Sequence, residues 1–289
     1  MTLMHELTKV SFTNLDKVLY PGLDMKKSQV IEYYIRIAPM MLPFLKDRAI
    51  VMNRYPDGIQ GEGFYEKDSP SGTPSWVETF KRYSETAQRD INYIICNDLD
   101  TLIWMANLAA LEINITVSTR ESFDTPDLVL FDIDPEPPLN FDDVMDVALL
   151  LKEKLDELNF RSFVKTSGKK GLHVVLPVVG SYNFRQTREF VHQFGKFLSR
   201  ESDLIVSEFS ESRDPGTVFI DYLQNNRGKT MIAPYSLRAQ AGAPVSTPLE
   251  WKELKKGLRP QEFNISTVLK RKTSPWEGLL ESRQKLEVQ

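Results

Sequence analysis

The sequence predicts an α+β fold: an N-terminal α/β module over about residues 1–115, a second module over about 116–240 and a helical C-terminal segment over about 241–289. Three observations predict it. Apolar residues switch between helical spacing and short β-type runs. The second module's elements come in the order β-α-β-β-α-β, which fits a ferredoxin-like, RNA-recognition-motif-like sheet with its helices on one face. No repeat, low-complexity tract or flexible linker parts the halves, so one domain spanning residues 1–289 is expected.

In the first module, Val30, Ile31, Tyr34, Ile35, Ala38, Met41 and Leu42 recur at helical spacing over 28–45, with Ser28 as a cap. Residues 48–55 read as a strand that ends at the turn Pro56-Asp57-Gly58. Residues 56–75 carry Gly58, Gly61, Gly63, Pro70, Gly72 and Pro74 and form a loop of functional length. Residues 91–96 are a short β run, and Asp98 caps a helix expected to reach about Glu112.

The second module opens with Leu128-Val129-Leu130-Phe131, a buried strand running into Asp132-Ile133-Asp134-Pro135. An amphipathic helix follows over 141–158, then a strand over 160–166. The turn Ser167-Gly168-Lys169-Lys170-Gly171 leads to a strand over 172–179 and a helix over 184–200. Short strands over 217–222 and 230–233 flank Asn225-Asn226-Arg227-Gly228.

Composition narrows the class. With 41% hydrophobic, 26% charged and 10% aromatic residues, the chain is globular. No apolar run approaches 18 residues, and the start at Met1 lacks a basic stretch followed by an apolar core. A cytoplasmic address without a membrane partner is therefore expected. Cys96 is the one cysteine, which excludes an internal disulfide; beside it stand only His5, His173 and His192, too few for a thiolate-rich zinc site.

Net charge is 36 − 40 = −4, yet it is unevenly spread. From Glu121 to Glu157 twelve acids face two bases, whereas from Arg161 to His173 there are four bases and no acid. An acidic centre flanked by basic segments suits a metal site beside a polyanion site, although solvated helix faces produce similar patterns.

Asp132 and Asp134 are two apart on a strand, so their carboxylates share a face, roughly 6–7 Å apart at the backbone. That spacing lets them share hard cations while leaving room for phosphate oxygens; strand-end acids that cap the next helix are the plainer alternative. Asp221, in Val218-Phe219-Ile220-Asp221-Tyr222, is a third acid within an apolar strand and would complete a two-metal cage, a strand acid paired with a lysine or arginine being the plainer alternative. In Ser167-Gly168-Lys169-Lys170-Gly171-Leu172-His173, the glycines admit an anion close to the backbone, and Ser167, Lys170 and His173 offer donors. The spacings of a Walker loop and of a dinucleotide fingerprint are both missing. Lys17, Lys26 and Lys27 surround Tyr20-Pro21-Gly22, and Phe64-Tyr65 sits in the long loop. Phosphate-neutralising lysines with base-stacking aromatics form a nucleic-acid surface, while Phe64 and Tyr65 could equally anchor the loop.

Taken in order, these motifs resemble one family. They are Asn14-Leu15-Asp16-Lys17-Val18-Leu19-Tyr20-Pro21, Arg54-Tyr55-Pro56-Asp57-Gly58, Phe64-Tyr65-Glu66-Lys67, Phe131-Asp132-Ile133-Asp134-Pro135, Ser167-Gly168-x-x-Gly171-Leu172-His173, Asp221-Tyr222-Leu223-Gln224-Asn225 and Ala233-Pro234-Tyr235-Ser236-Leu237-Arg238-Ala239. The family is the polymerase domain of bacterial ligase D, within the archaeo-eukaryotic primase superfamily, and the likeness runs over roughly residues 9–285.

That resemblance implies an archaeo-eukaryotic primase-like fold and a template-directed nucleotidyltransferase of non-homologous end joining. Such an enzyme fills gaps and extends ends, prefers ribonucleotides and uses two Mn²⁺ or Mg²⁺ ions, without zinc. By motif position Asp132, Asp134 and Asp221 hold the metals. Ser167, Lys170, His173, Gln224 and Arg238 hold the incoming NTP or dNTP, with Arg54 a weaker candidate. Lys17 and Lys26 grip the 5′-phosphate at a gap or double-strand break, and Phe64 and Tyr65 stack on the template. Asn114 stands near the primer end where the family usually has histidine; it hydrogen-bonds but carries no charge. The chain ends without a ligase or nuclease portion, as expected of a stand-alone enzyme, archaeal or bacterial, with separate Ku and ligase partners, or of an excised domain. The rival readings are a replicative-type primase of the same superfamily, a metal-dependent nucleotide-sugar glycosyltransferase and a non-catalytic RNA-binding module.

Overall fold

The computed structural model describes residues 9–85, 87–210 and 214–286, so residues 1–6, read above for a leader, lie outside it. The chain divides into two units. The first comprises residues 1–116, 230–246 and 263–272, the second 117–229, 247–262 and 273–289. The first unit's opening stretch ends at Thr116, and residues 230–246 return to it because the strand Thr230–Ile232 pairs with that unit's sheet. Arg238 therefore lies in the first unit.

In that unit the short strands β1 (Val18–Tyr20) and β2 (Met25–Lys26) form a ribbon that leads into the helix Lys27–Leu45. Of the expected stripe the helix buries Val30, Ile31, Tyr34, Ala38 and Met41, joined by Ile37 and Leu45, whereas Ile35 and Leu42 are only partly buried. The unit also contains β3 (Ala49–Arg54), β4 (Phe64–Glu66), β5 (Thr79–Ser84), β6 (Arg89–Ile95), β7 (Ala110–Thr116) and, after a long excursion, β13 (Thr230–Ile232). Their order is β13-β7-β3-β6-β5, with β4 on β3. β7 is buried along its whole length and sits between β13 and β3.

The helix capped by Asp98 stops at Asn107 and does not reach Glu112. Asp98 accepts from the Thr101 N–H at 2.8 Å as expected. Ala109 then takes a left-handed φ of 59°, which reverses the chain into β7. Glu112 and Asn114 consequently stand on a central strand.

The second unit contains β8 (Leu128–Pro135), β9 (Phe163–Thr166), β10 (Leu172–Pro177), β11 (Ile205–Val206), β12 (Val218–Asp221) and β14 (Pro248–Leu249), with helices Phe141–Glu157 and Phe184–Glu201. The sheet order is β11-β12-β8-β10-β9-β14. Its four central strands run fourth, first, third, second in β-α-β-β-α-β order, the arrangement expected of a ferredoxin-like sheet. Asn140 and Asn183 cap the two helices with reciprocal capping boxes. The ring of Phe131 meets those of Phe190 and Phe194 edge-on at 6.3 and 5.7 Å, which identifies the helix-covered face.

The C-terminal segment departs from expectation. Beyond residue 250 the described residues include one four-residue helix, Ile265–Val268, and two single turns, Trp251–Glu253 and Pro260–Glu262. Gly257, Pro260, Pro275 and Gly278 recur too often for a longer helix to propagate. What anchors this segment is Trp276, wholly buried against the Phe163 ring, with its indole N–H donating to the Val164 carbonyl at 2.9 Å. Among the described residues no helix is long and apolar enough to cross a membrane.

Candidate active site

Because side chains alternate along a strand and Phe131 faces the helices, Ile133 and Pro135 face them too. Asp132 and Asp134 occupy the opposite face and are half-buried. The ladder adds their neighbours. Asp221 on β12 stands directly across from Asp132, and His173 on β10 stands across from it on the other side. Opposed residues share a face, with Cα atoms about 4.5–5.5 Å apart. The three acids assigned together from sequence are thus on adjacent strands, and His173 Nε2 lies 3.2 Å from Asp132 Oδ1. One strand further out, Lys165 on β9 stands opposite His173 and is wholly buried. Asp221, Asp132, His173 and Lys165 form one row across four strands. Lys165 was not among the residues picked from sequence.

Local bonds hold the row's edges. Asp221 Oδ1 accepts from the Leu223 N–H at 2.8 Å, and Gln224 Nε2 lies 3.4 Å from Oδ2. Asn225, in the same single turn, locks it to β8 by donating to the Leu130 carbonyl (2.7 Å) and accepting from the Leu130 N–H (2.9 Å).

The loop between β9 and β10 closes on Ser167. Its Oγ accepts from the Lys169 and Gly171 N–H groups at 3.2 and 3.1 Å, and its own N–H donates to the Gly171 carbonyl at 3.0 Å. Gly168 adopts φ 73° to make the turn. Gly171 is demanded by the acids: a Cβ there would lie 2.4 Å from Asp134 Oδ1 and 2.5 Å from the Ile133 carbonyl oxygen. Lys170, exposed, donates from Nζ to the Pro135 carbonyl at 2.9 Å, so its ammonium sits over the end of the acid-bearing strand.

The donor set suits a hard cation, since three carboxylates on one face offer the oxygen ligands that Mg²⁺ and Mn²⁺ prefer. Among the described residues no three His, Cys, Asp or Glu side chains close around a single point; Asp132 and Asp221 turn toward the local partners just given.

In the first unit, Lys17 and Lys26 are brought together by the ribbon, where Val18 pairs with Lys26 and the Lys27 N–H donates to the Lys17 carbonyl at 2.8 Å. Each ammonium meets an exposed carboxylate, Lys17 with Asp57 at 2.5 Å and Lys26 with Asp16 at 3.3 Å. Lys27 is buried, donates to the Thr13 carbonyl at 2.7 Å, and is held down to a pKa of about 8 by burial, helped by the charges of Lys17 and Arg54. Phe64 and Tyr65 are 46% and 57% exposed, so they do not anchor the loop as core residues. They are consecutive on β4 and project to opposite sides of it.

Arg54 is committed within its own unit. Its Nη1 contacts both Glu66 carboxylate oxygens at 2.9 Å, and its Nε donates to the Leu108 carbonyl at 2.9 Å. Asn114 is buried on β7 and donates from Nδ2 to the Val51 carbonyl at 3.3 Å. Arg238 lies with its Nε 3.2 Å from Oε1 of Glu112, a second residue the sequence reading passed over.

A ferredoxin-like sheet with two acids at the end of its first strand, a third opposite on its fourth and a serine-glycine-lysine turn beside them defines a primase-type nucleotidyltransferase. The comparisons agree. The family model for the LigD primase-polymerase domain matches residues 26–276, and the chain belongs to that family. It is 33% identical over 265 residues to the bifunctional non-homologous end joining protein LigD of Bacillus subtilis, covering 91% of this chain and 42% of that protein. To the multifunctional LigD of Mycolicibacterium smegmatis it is 32% identical over 258 residues, 87% of this chain and 33% of that one. The chain thus spans less than half the length of these relatives. The polymerase domain of Mycobacterium tuberculosis ligase D, solved in complex with DNA, superimposes with a TM-score of 0.88 at 28% identity, over 96% of this chain and all of that one. The fold is therefore archaeo-eukaryotic primase-like, and the enzyme class is that of the DNA/RNA polymerases.

Proposed function

We propose that this chain is the gap-filling and end-extending polymerase of a non-homologous end joining system, acting in the cytoplasm on DNA gaps and breaks that carry a 5′-phosphate, with Ku and a DNA ligase as partners. The observation that carries the reading is the ladder placement of Asp221 opposite Asp132, two residues from Asp134, on the open face of the sheet.

On this reading Asp132, Asp134 and Asp221 hold the divalent ions, two of Mn²⁺ or Mg²⁺. When bound, these would lower the pKa of a primer 3′-hydroxyl and neutralise the departing pyrophosphate. The chain's own groups do the rest. Ser167 retains its hydroxyl hydrogen to donate to a phosphate oxygen, because both bonds it makes within the turn are accepted ones. Lys170 supplies positive charge where negative charge develops on the leaving group. His173 and Gln224 orient Asp132 and Asp221 respectively while offering donors to the nucleotide. Arg238 remains a triphosphate contact; Arg54 is left with a structural role. Lys17 and Lys26 exchange exposed aspartate partners for a DNA 5′-phosphate, an exchange that costs little because such surface pairs contribute at most about 1 kcal/mol.

The glycosyltransferase reading leaves the lysine ribbon and the exposed aromatics without a role. The RNA-binding reading conflicts with a sheet face that presents carboxylates. The test is extension of a gapped duplex with rNTPs or dNTPs and Mn²⁺ or Mg²⁺, with and without the 5′-phosphate. Extension is expected to favour rNTPs and the phosphorylated gap, and Lys17→Ala is expected to weaken binding to the phosphorylated gap alone. Absence of template-directed addition under all conditions overturns the proposal; equal losses on both gaps reduce Lys17 to ordinary surface charge.

A further inference from the structure

Resting on that reading and extending it, we infer that Glu112 is a positioning residue that presets the guanidinium of Arg238 for the phosphates of the incoming nucleotide. All the contacts involved lie within the first unit.

Glu112 sits on β7 and is 3% exposed. A carboxylate so buried needs donors and charge, and this one has three partners. Asn53, directly across the ladder on β3, donates from Nδ2 to Oε2 at 2.6 Å. The Ala239 N–H donates to Oε1 at 3.2 Å, and Arg238 Nε lies 3.2 Å from the same oxygen. The backbone of Arg238 is fixed as well. Its N–H donates to the Pro244 carbonyl at 2.8 Å, and its own carbonyl accepts from the Tyr20 hydroxyl at 2.9 Å.

The carboxylate therefore lies on the Nε side of the guanidinium at ion-pair distance, and Nε itself makes no hydrogen bond. The terminal Nη1 and Nη2 make no hydrogen bond or ion pair among the described residues, although the side chain is only 12% exposed. A planar fork held by its stem with both prongs open is the geometry that binds phosphate oxygens in pairs. Fixing it beforehand removes the ordering that binding would otherwise require. Glu112 also opposes the arginine's charge, so two outcomes compete on its removal. If charge dominates, Glu112→Gln tightens anion binding; if orientation dominates, it weakens it. The bond count around Glu112 favours orientation.

The test measures the equilibrium Kd for labelled ATP, the KM and kcat for nucleotide addition, and Tm, in the wild type, Glu112→Gln, Arg238→Ala and the double variant. Glu112→Gln is expected to raise Kd and KM by roughly three- to tenfold with a smaller change in kcat. In the Arg238→Ala background it should change neither, because the group it positions is gone. An unchanged or lowered Kd, or equal effects in both backgrounds, overturns the inference and leaves Glu112 as a sheet-stabilising acid. Should Glu112→Gln not fold, Glu112→Asp, which withdraws the carboxylate from Nε by one methylene, gives the same reading. A wild type that binds ATP but adds nothing to a primer sinks the polymerase assignment and leaves the Kd comparison to decide Glu112; a wild type that binds no nucleotide sinks both.

Discussion

In the second unit the acids and the histidine stand on strands. Asp132, Asp221 and His173 owe their proximity to ladder register, and the Asp132 and His173 side chains are 14% and 7% exposed. In the first unit Lys17, Lys26, Phe64 and Tyr65 stand on a turn-linked ribbon and a three-residue strand, exposed and, for the lysines, paired to carboxylates that water also reaches. The former groups cannot move without disturbing a sheet. The latter can change partners at little cost. Substitutions in the first set should therefore act on chemistry, and those in the second on affinity alone.

The sharpest break of that contrast comes from Asp134→Ala. Nucleotide addition should fall by about 10³ or more, on the scale of losing a group that manages transition-state charge. Binding to a gapped duplex should change by no more than about twofold. Primer extension and a filter-binding titration on the same preparation check both; retained activity refutes the site.

Gly171→Ala tests the ladder itself. The new methyl would collide with Asp134 Oδ1, forcing that carboxylate aside, and with the Ile133 carbonyl oxygen, which cannot retreat without moving β8. Overpacking of this kind costs about 1–3 kcal/mol of stability. Because the collision displaces an acid, activity should drop by about 10²-fold in protein that remains folded. Wild-type activity with unchanged Tm would show that the register here is looser than the strand pairing implies.

How far the site was legible follows from the same contrast. Asp132 and Asp134 are readable because a strand's period of two is local information, and the β-α-β-β-α-β order carries Asp221 to their neighbour strand. Lys165 was not readable, because its place opposite His173 depends on the way a five-residue turn sets the offset of two strands. Glu112 was lost for a nearer reason. Asp98 starts a real helix and the apolar spacing through Leu111 lets it run on, whereas the left-handed Ala109 ends it and sends Glu112 into β7. Arg54 and Arg238 look alike in sequence. Only the packed structure shows one committed to Glu66 and Leu108 and the other with its terminal nitrogens open.

The aromatic pair should show a smaller effect. Phe64→Ala and Tyr65→Ala should each weaken binding to a duplex with a single-stranded template overhang, by about 1–3 kcal/mol if a base stacks on the ring. Stability should be unaffected, since both rings are already exposed. Because the rings project to opposite sides of β4, they cannot form one platform, and the two losses should differ. Equal losses that vanish on blunt duplex would indicate that the strand twists enough to align them.

The smallest effect concerns Lys27, the buried cation that opens the helix after the ribbon, which behaves like the ladder groups despite its address. Burial is the main cause of its depression from 10.5 to about 8, reinforced by the charges of Lys17 and Arg54. Between about pH 8 and 10.5 the unfolded chain holds a proton at this position that the folded chain has released. Stability then rises with pH, because it rises wherever the unfolded state binds more protons. Below pH 8 both states are charged and the slope vanishes. Above pH 10 the buried phenols Tyr20 and Tyr33, whose burial raises them, reverse the trend as they ionise in the unfolded chain. From pH 8 to 9.5 the wild type should gain on the order of 1 kcal/mol relative to Lys27→Met, a Tm difference of a few degrees. Thermal melts of the two proteins across that window decide it. Parallel curves would mean that the ammonium reaches water and that the start of the helix has no buried charge at all.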